Sequence, residues 1–162
     1  MPAPNSRQLV RWRLFGVSLP ALLLSRRKVA MPVYVESVTQ PSPQDRSDLA
    51  KIYADAPEWL LAPHANAEAL IEAALADGSL IAGRFNDRLL GAALLQRGDN
   101  SWRLSHLCVR KLTRKRGVGR RLLEESRRLA DSAGARLHLA APLDNLEIQA
   151  LAARAHLPLQ PL

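Results

Sequence analysis

Between residues 33 and 160 the apolar positions change period several times, and each change marks an element. Val33 to Val38 (VYVESV) alternates and is rich in β-branched residues, which predicts a strand. Pro41 to Gln44 reads as a turn and the start of a helix. From Asp45 to Ala54 the period becomes helical, with Leu49, Ile52 and Tyr53 on one side. Trp59, Leu60, Leu61 and Pro63 read as an apolar loop. Asn66 is placed to cap a second helix running to Ala76, with Leu70, Ile71, Ala74 and Leu75 on one side and Gly78 just past its end. A meander follows. Ser79 to Phe85 and Arg88 to Gln96 are strands joined at Asn86-Asp87, two residue types that tolerate positive φ. After a turn at Gly98-Asp99-Asn100, Trp102 to Arg110 is a third strand. Its alternation predicts Trp102, Leu104, His106 and Cys108 on one face and Arg103, Ser105, Leu107 and Val109 on the other.

Beyond a basic loop, Gly117 to Ala133 has helical spacing, with Val118, Leu122, Leu129 and Ala133 inward and Gly134 as terminator. Arg136 to Ala141 is a strand. Asp144 and Glu147 have capping-box spacing for a last helix, Asn145 to His156, whose buried side is Leu146, Ile148, Leu151 and Ala155. The order β-α-α-β-β-β-α-β-α predicts an α/β fold: a mixed central sheet with helices on both faces.

The first thirty residues do not join this pattern. Leu14 to Leu24 is apolar with arginines on both sides, yet too short to span a bilayer, and no small-residue cleavage site follows it. Composition changes abruptly at Met31-Pro32. Residues 1–30 are therefore expected to be a disordered extension or the product of a misassigned start, with 31–162 as the domain. An interfacial anchor is the competing reading, and Pro20 interrupts any helix there.

Composition and charge then narrow the chemistry. The chain has 162 residues and is 48% hydrophobic, enough for one domain with a real core. A single cysteine, Cys108, excludes an internal disulfide framework and a cysteine-based zinc finger. His64, His106, His138 and His156 show no metal-type spacing. The net charge is +8, of which residues 1–30 contribute +6 through six basic residues and no acid. Arg110 to Arg128 holds nine basic residues against Glu124 and Glu125, a local +7, which leaves the rest of the domain at −5. One positive patch on a mildly acidic body suits a phosphorylated cofactor better than a long nucleic acid, and no aromatic residue lies within the patch to stack on bases.

Arg110 to Arg121 (RKLTRKRGVGRR) joins a strand to a helix. Gly117 and Gly119 bare the backbone where the helix begins, so its N–H groups and dipole offer an anion site. Arg114, Lys115, Arg116, Arg120 and Arg121 add charge-assisted contacts to a phosphate or diphosphate. A Walker A loop is absent, and a dinucleotide fingerprint needs a third glycine where Leu122 stands.

Arg114-Lys115-Arg116-Gly117-Val118-Gly119 resembles the Arg/Gln-x-x-Gly-x-Gly/Ala motif of the GCN5-related N-acetyltransferase (GNAT) superfamily, and the element order matches that fold from residue 33 to about residue 157. The resemblance implies a GNAT-like domain that binds acetyl-CoA (or CoA). Leu107, Cys108 and Val109 would lie at its acetyl-pantetheine end, and Thr113, Arg114, Lys115, Arg116, Gly117, Val118, Gly119 and Arg120 at its diphosphate. Gln44-Asp45-Arg46, Arg84-Phe85-Asn86-Asp87-Arg88-Leu89-Leu90 and Leu107-x-Val109-Arg110 further resemble the PanZ/PanM group. Those are acetyl-CoA-dependent maturation and regulatory factors of aspartate 1-decarboxylase. The C-terminal part departs from the group, since the chain stops at Leu162 where a final strand is expected.

What the group implies is a cytoplasmic regulator in β-alanine and pantothenate biosynthesis, with no nucleic acid or membrane as partner. It binds the aspartate 1-decarboxylase zymogen, promotes self-cleavage to the pyruvoyl form and modulates the mature enzyme. Arg84, Asn86 and Arg88 at the hairpin are the candidate partner contacts, the arginines standing out beside the tip. The alternative is a catalytic N-acetyltransferase acting on an amine. Catalytic members of the superfamily often carry a tyrosine in the last helix; Ala152 occupies that position here, and no catalytic residue is assigned. Whether the domain is an enzyme stays open at this level, with a regulatory sensor of little or no transferase activity preferred.

A chain beginning at Met31 should fold with an unchanged melting temperature and cofactor affinity; thermal melts and calorimetry on the two lengths check this.

Overall fold

The hairpin at Asn86-Asp87 forms as its residue types predict, with φ of 49° and 63° at the two positions. It joins β2 (Leu80–Phe85) to β3 (Arg88–Arg97). The computed structural model describes residues 32–162; the expectation for residues 1–30 lies outside the described residues. Around that hairpin, β1 (Tyr34–Ser37), β4 (Ser101–Val109), β5 (Arg136–Ala140) and β6 (Leu159–Gln160) complete one sheet in the order β1-β2-β3-β4-β5-β6. The pairs β1-β2, β2-β3 and β3-β4 are antiparallel, and β4-β5 and β5-β6 are parallel. The short β6 supplies a strand beyond the last helix.

Helices α1 (Pro43–Ala54), α2 (Glu58–Leu61) and α3 (Ala67–Asp77) cover one face, and α4 (Val118–Ser132) and α5 (Leu146–Ala155) the other. Asn66 caps α3 through the Ala69 N–H, and Gly78 ends it at φ 74°, as the spacing predicts. α1 begins earlier than expected, because Ser42 and Asp45 form a capping box. The apolar loop at Trp59 contains the short α2. Two inward sets need correction. In α4, Ala133 is exposed and Leu123, Ser126 and Ala130 are buried instead, so the apolar stripe runs one step along from the expected one. In α5, Asn145 rather than Asp144 provides the cap, to the Ile148 N–H, and this turns Leu146 outward to 77% exposure. Among the described residues, no helix is long and apolar enough to cross a membrane.

The predicted alternation of β4 fails at one residue, and the failure has a cause. Ala92 pairs with Cys108 but Leu94 pairs with Ser105, so one residue of β3, Ala93, faces two of β4, His106 and Leu107. The extra residue is His106, at φ 55°. Past this bulge the side chains change face. Trp102 and Leu104 lie in the core under α4, whereas Cys108 lies in the core under α1 and α3, and Leu107 and Val109 rejoin the α4 side. A left-handed histidine costs on the order of 1 kcal/mol. It is held by three contacts: the buried Tyr53 hydroxyl donates to His106 O at 2.8 Å, and the imidazole pairs Nε2 with Ala62 O (2.8 Å) and Nδ1 with Ser105 Oγ (2.9 Å). The ladder between β4 and β5 covers only Ser101–Leu104, so the strands part beyond the bulge.

Asp48 of α1 is fully buried and fixes the hairpin to the helix layer. It accepts from Arg88 Nη2 (2.7 Å), the Leu89 N–H (3.0 Å) and Gln44 Nε2 (2.9 Å). Burial alone would raise its pKa, but the Arg88, Leu89 and Gln44 bonds outweigh that and hold it below the ordinary carboxylate value. Asp45 is lowered in the same way, chiefly by its bond from Arg84. A depressed carboxylate stabilises the fold above its unfolded pKa, and that contribution is lost as pH falls through the folded value. Stability in urea should therefore fall steeply below about pH 4. Asp48→Asn should lower stability at pH 7 and flatten the acid limb, and Asp48→Ala should cost about 2 kcal/mol by stranding the buried Leu89 N–H.

Candidate functional site

The end of β4 and the start of α4 are brought together by a socket in the sheet. Gly83 and Gly91 pair across β2 and β3. A Cβ on Gly91 would stand 2.8 Å from Val118 Cγ1, and one on Gly83 2.9 Å from Val33 Cγ1 and 3.5 Å from Val118 Cγ1. Val118, the first residue of α4, fills the space so left and is 1% exposed. The N-terminus of the helix is thereby pinned against the sheet beside Val109.

Between them, Lys111–Thr113 forms one 3-10 turn, and Lys115 (φ 65°) and Gly117 (φ 90°) turn the chain into α4. Gly117 is the N-cap, with no side chain capping the helix and no acid in its first turn. The Arg121 N–H bonds back to Gly117 O at 3.0 Å, so those of Val118, Gly119 and Arg120 precede the helical ladder. A Cβ on Gly119 would meet only Val109 Cγ2, at 3.6 Å, so packing within the chain does not demand glycine there. What a side chain at 119 would fill is the open space over the bare helix start, which suits an anion held by backbone N–H groups.

That space belongs to a cleft of about 1390 Å³ running along the parted end of β4, the loop, α4 and α5. Of the expected cofactor residues, Leu107, Cys108, Val109, Arg114, Lys115, Gly117, Val118, Gly119 and Arg120 line it, and Thr113 and Arg116 do not. The side chains divide further. Arg114, expected to offer its guanidinium to phosphate, instead donates from Nε to Val109 O (3.1 Å) and from Nη2 to Asp55 O (3.1 Å). Arg120 pairs with Glu124 at 3.1 Å and Arg121 with Glu125 at 3.7 Å. Lys115 has no ion pair among the described residues. Asp55, Trp59, Arg127, Ile148 and Arg154 also line the cleft. Arg127 belongs to the basic patch already marked in the sequence; the others were missed, since α1, its C-cap, α2 and α5 meet the loop only in three dimensions.

The candidate proton-transfer groups are occupied or turned away. Cys108 faces the opposite core, donates to Ile52 O at 3.3 Å, and burial pushes its thiol up to about 11. Both nitrogens of His106 are engaged, and burial lowers its pKa, favouring the neutral ring. The Tyr53 phenol is raised well above its ordinary value by burial. Ala152 is buried in α5.

At the hairpin, the structure corrects the picture of two arginines standing free. Arg84 bridges Glu36 (2.7 Å) and Asp45 (3.0 Å), and Arg88 is clasped by Asp48. Both fold back against the body, leaving Asn86 exposed at the tip.

Known proteins resemble this arrangement at two levels. The family described as "Acetyltransferase (GNAT) domain, PanZ" matches residues 32–158. Over 84 residues the chain is 39% identical to the PanD regulatory factor of Salmonella typhimurium and 38% identical to that of Escherichia coli, each alignment covering 52% of this chain and 58% of the relative. The chain thus spans under two thirds of the length of these curated relatives. In three dimensions it is similar to the PaiA N-acetyltransferase of Thermoplasma acidophilum, crystallised in complex with coenzyme A. The TM-score is 0.58 at 14% identity, over 76% of this chain and 88% of that one, a likeness of fold.

The placement of Cys108 is testable directly. At pH 8 its alkylation by iodoacetamide should be at least about a hundredfold slower in the native protein than in urea, because burial and a raised pKa both suppress the thiolate. Native-state labelling at the unfolded rate would put the thiol in the cleft.

Proposed function

The chain belongs to the PanZ family of GNAT acetyltransferase domains, and on that premise we propose that it is an acetyl-CoA-dependent regulatory factor of PanD, the aspartate 1-decarboxylase. The observation that carries the cofactor half is the bare, acid-free first turn of α4 beside the parted end of β4. The diphosphate is held by the N–H groups of Val118, Gly119 and Arg120, with Lys115 and Arg120 supplying positive charge. The pantetheine arm runs along the backbone of Leu107 to Val109, where β4 has parted from β5. Thr113 and Arg116 do not line the cleft and are left out of this set. When bound, the acetylated cofactor brings phosphate charge to the loop and a thioester to the inner end of the cleft.

The partner half is supported by the name of the relatives, PanD regulatory factor, and by the hairpin. Asn86 presents an amide on a tip held rigid by the Arg84 and Arg88 bridges. Docked on the zymogen with cofactor in place, the domain promotes self-cleavage to the pyruvoyl form and modulates the mature enzyme, tying β-alanine supply to acetyl-CoA. The buried Cys108 and Tyr53, and a His106 with both ring nitrogens engaged, favour binding without acetyl transfer over the transferase alternative.

Calorimetry with acetyl-CoA and with CoA tests the first half. Gly119→Asp sets a carboxylate where the diphosphate lies and should cost about 2 kcal/mol or more, some thirtyfold in Kd. Undiminished binding would remove the loop assignment. Asn86→Gly keeps a residue suited to positive φ, so fold and cofactor affinity should hold while zymogen association and cleavage weaken. Cleavage at the wild-type rate would move the interface off the hairpin.

A further inference from the structure

An acidic residue at the C-terminal end of a helix opposes the helix dipole, and one lining a basic cleft opposes an anionic ligand. Asp55 does both. It is the C-cap of α1 and lies in the wall of the cleft. Its carboxylate accepts the Lys111 N–H at 2.8 Å, near the entrance of the loop. The same carboxylate oxygen, Oδ2, stands 3.7 Å from Arg110 Nε, a buried atom with no other partner. The Asp55 carbonyl accepts Arg114 Nη2, while Arg114 Nε holds Val109 O. One residue of α1 thus grips the loop at its entrance and, through Arg114, where it turns toward α4.

We propose that Asp55 is a positioning residue of the anion loop. Together with Arg114 it latches residues 110–114 to the end of α1, so that the loop reaches Gly117 with the α4 N–H groups bare and facing the cleft. The motif's leading arginine serves this latch and leaves phosphate contact to the backbone, Lys115 and Arg120. The proposal rests on the reading of the loop as a coenzyme A cradle, and it makes an unusual demand of sign. If Asp55 acted only as a charge, removing it would tighten anion binding. If it positions the loop, removing it loosens binding.

The test uses the full chain as wild type, Asp55→Ala and Asp55→Asn, with coenzyme A as the probe. Asparagine keeps an oxygen acceptor for the Lys111 N–H and discards the charge, so it separates the two roles. Asp55→Ala should weaken coenzyme A binding about tenfold, the scale of one or two lost hydrogen bonds. Asp55→Asn should stay within about threefold of wild type. A readout independent of any ligand is amide hydrogen exchange at Lys111. It should speed up in Asp55→Ala, return toward wild type in Asp55→Asn, and leave protection in the sheet unchanged. Equal or tighter coenzyme A binding by Asp55→Ala, or unchanged exchange at Lys111, overturns the positioning role. Should wild type itself fail to bind coenzyme A, the cradle reading falls and the exchange result alone decides for or against the latch.

Discussion

The hydrogen bond from the Tyr53 hydroxyl to His106 O is the contact on which the site depends. It is a single neutral bond, worth about 1 kcal/mol net, yet it is made in a core where an unpaired carbonyl would cost more. It secures the one residue that breaks the alternation of β4. Because His106 is extra, β4 turns its last residues over, leaves β5 and opens a gap in an otherwise continuous sheet. The inner end of the cleft lies in that gap. The helix-layer side of the sheet supplies the tyrosine and the imidazole acceptor at Ala62, so the architecture of one face decides the shape of the other.

The rest of the site is a matter of close approach. Val118 reaches the sheet because Gly91 lacks a Cβ, while the paired Gly83 makes room for Val33, and this brings the start of α4 level with the end of β4. Gly117 then serves backbone conformation and Gly119 serves access. Four glycines in two distant segments thus divide the work of bringing a helix terminus to a strand end and keeping it bare.

Much of this was legible in the residues. The meander, the Asn86-Asp87 turn, the Asn66 and Gly78 boundaries and the glycine-marked helix start all follow from local chemistry. The position of the cleft at the end of β4 came instead from the resemblance to the GNAT fold. What period-2 reasoning could not see was the bulge, because Ser105-His106-Leu107 carries no glycine and its extra residue is imposed by Tyr53 and Ala62 from elsewhere in the chain. The same limit explains Arg114. Its charge and its place in the motif are visible in sequence, but the carbonyl of Asp55 that captures it is 59 residues away. Arg84 and Arg88 likewise read as free side chains until α1 is seen to carry Asp45 and Asp48 beneath them. In α5 the error was smaller: Asn145 and Asp144 are both good caps, and choosing the neighbour rotates Leu146 out of the core.

The clasped arginines of the hairpin also bear on how fast anything can meet it. Their two charges are more than offset at short range by Glu36, Asp45 and Asp48, so with its own Asp87 the tip carries only a small negative excess. Long-range steering, which can lift association by orders of magnitude between oppositely charged surfaces, has little to act on there. A molecule docking at the tip arrives by orientation-limited diffusion, on the order of 10⁵–10⁶ M⁻¹s⁻¹. It meets a turn already in its final shape, so what is gained in preorganisation appears in how slowly it leaves.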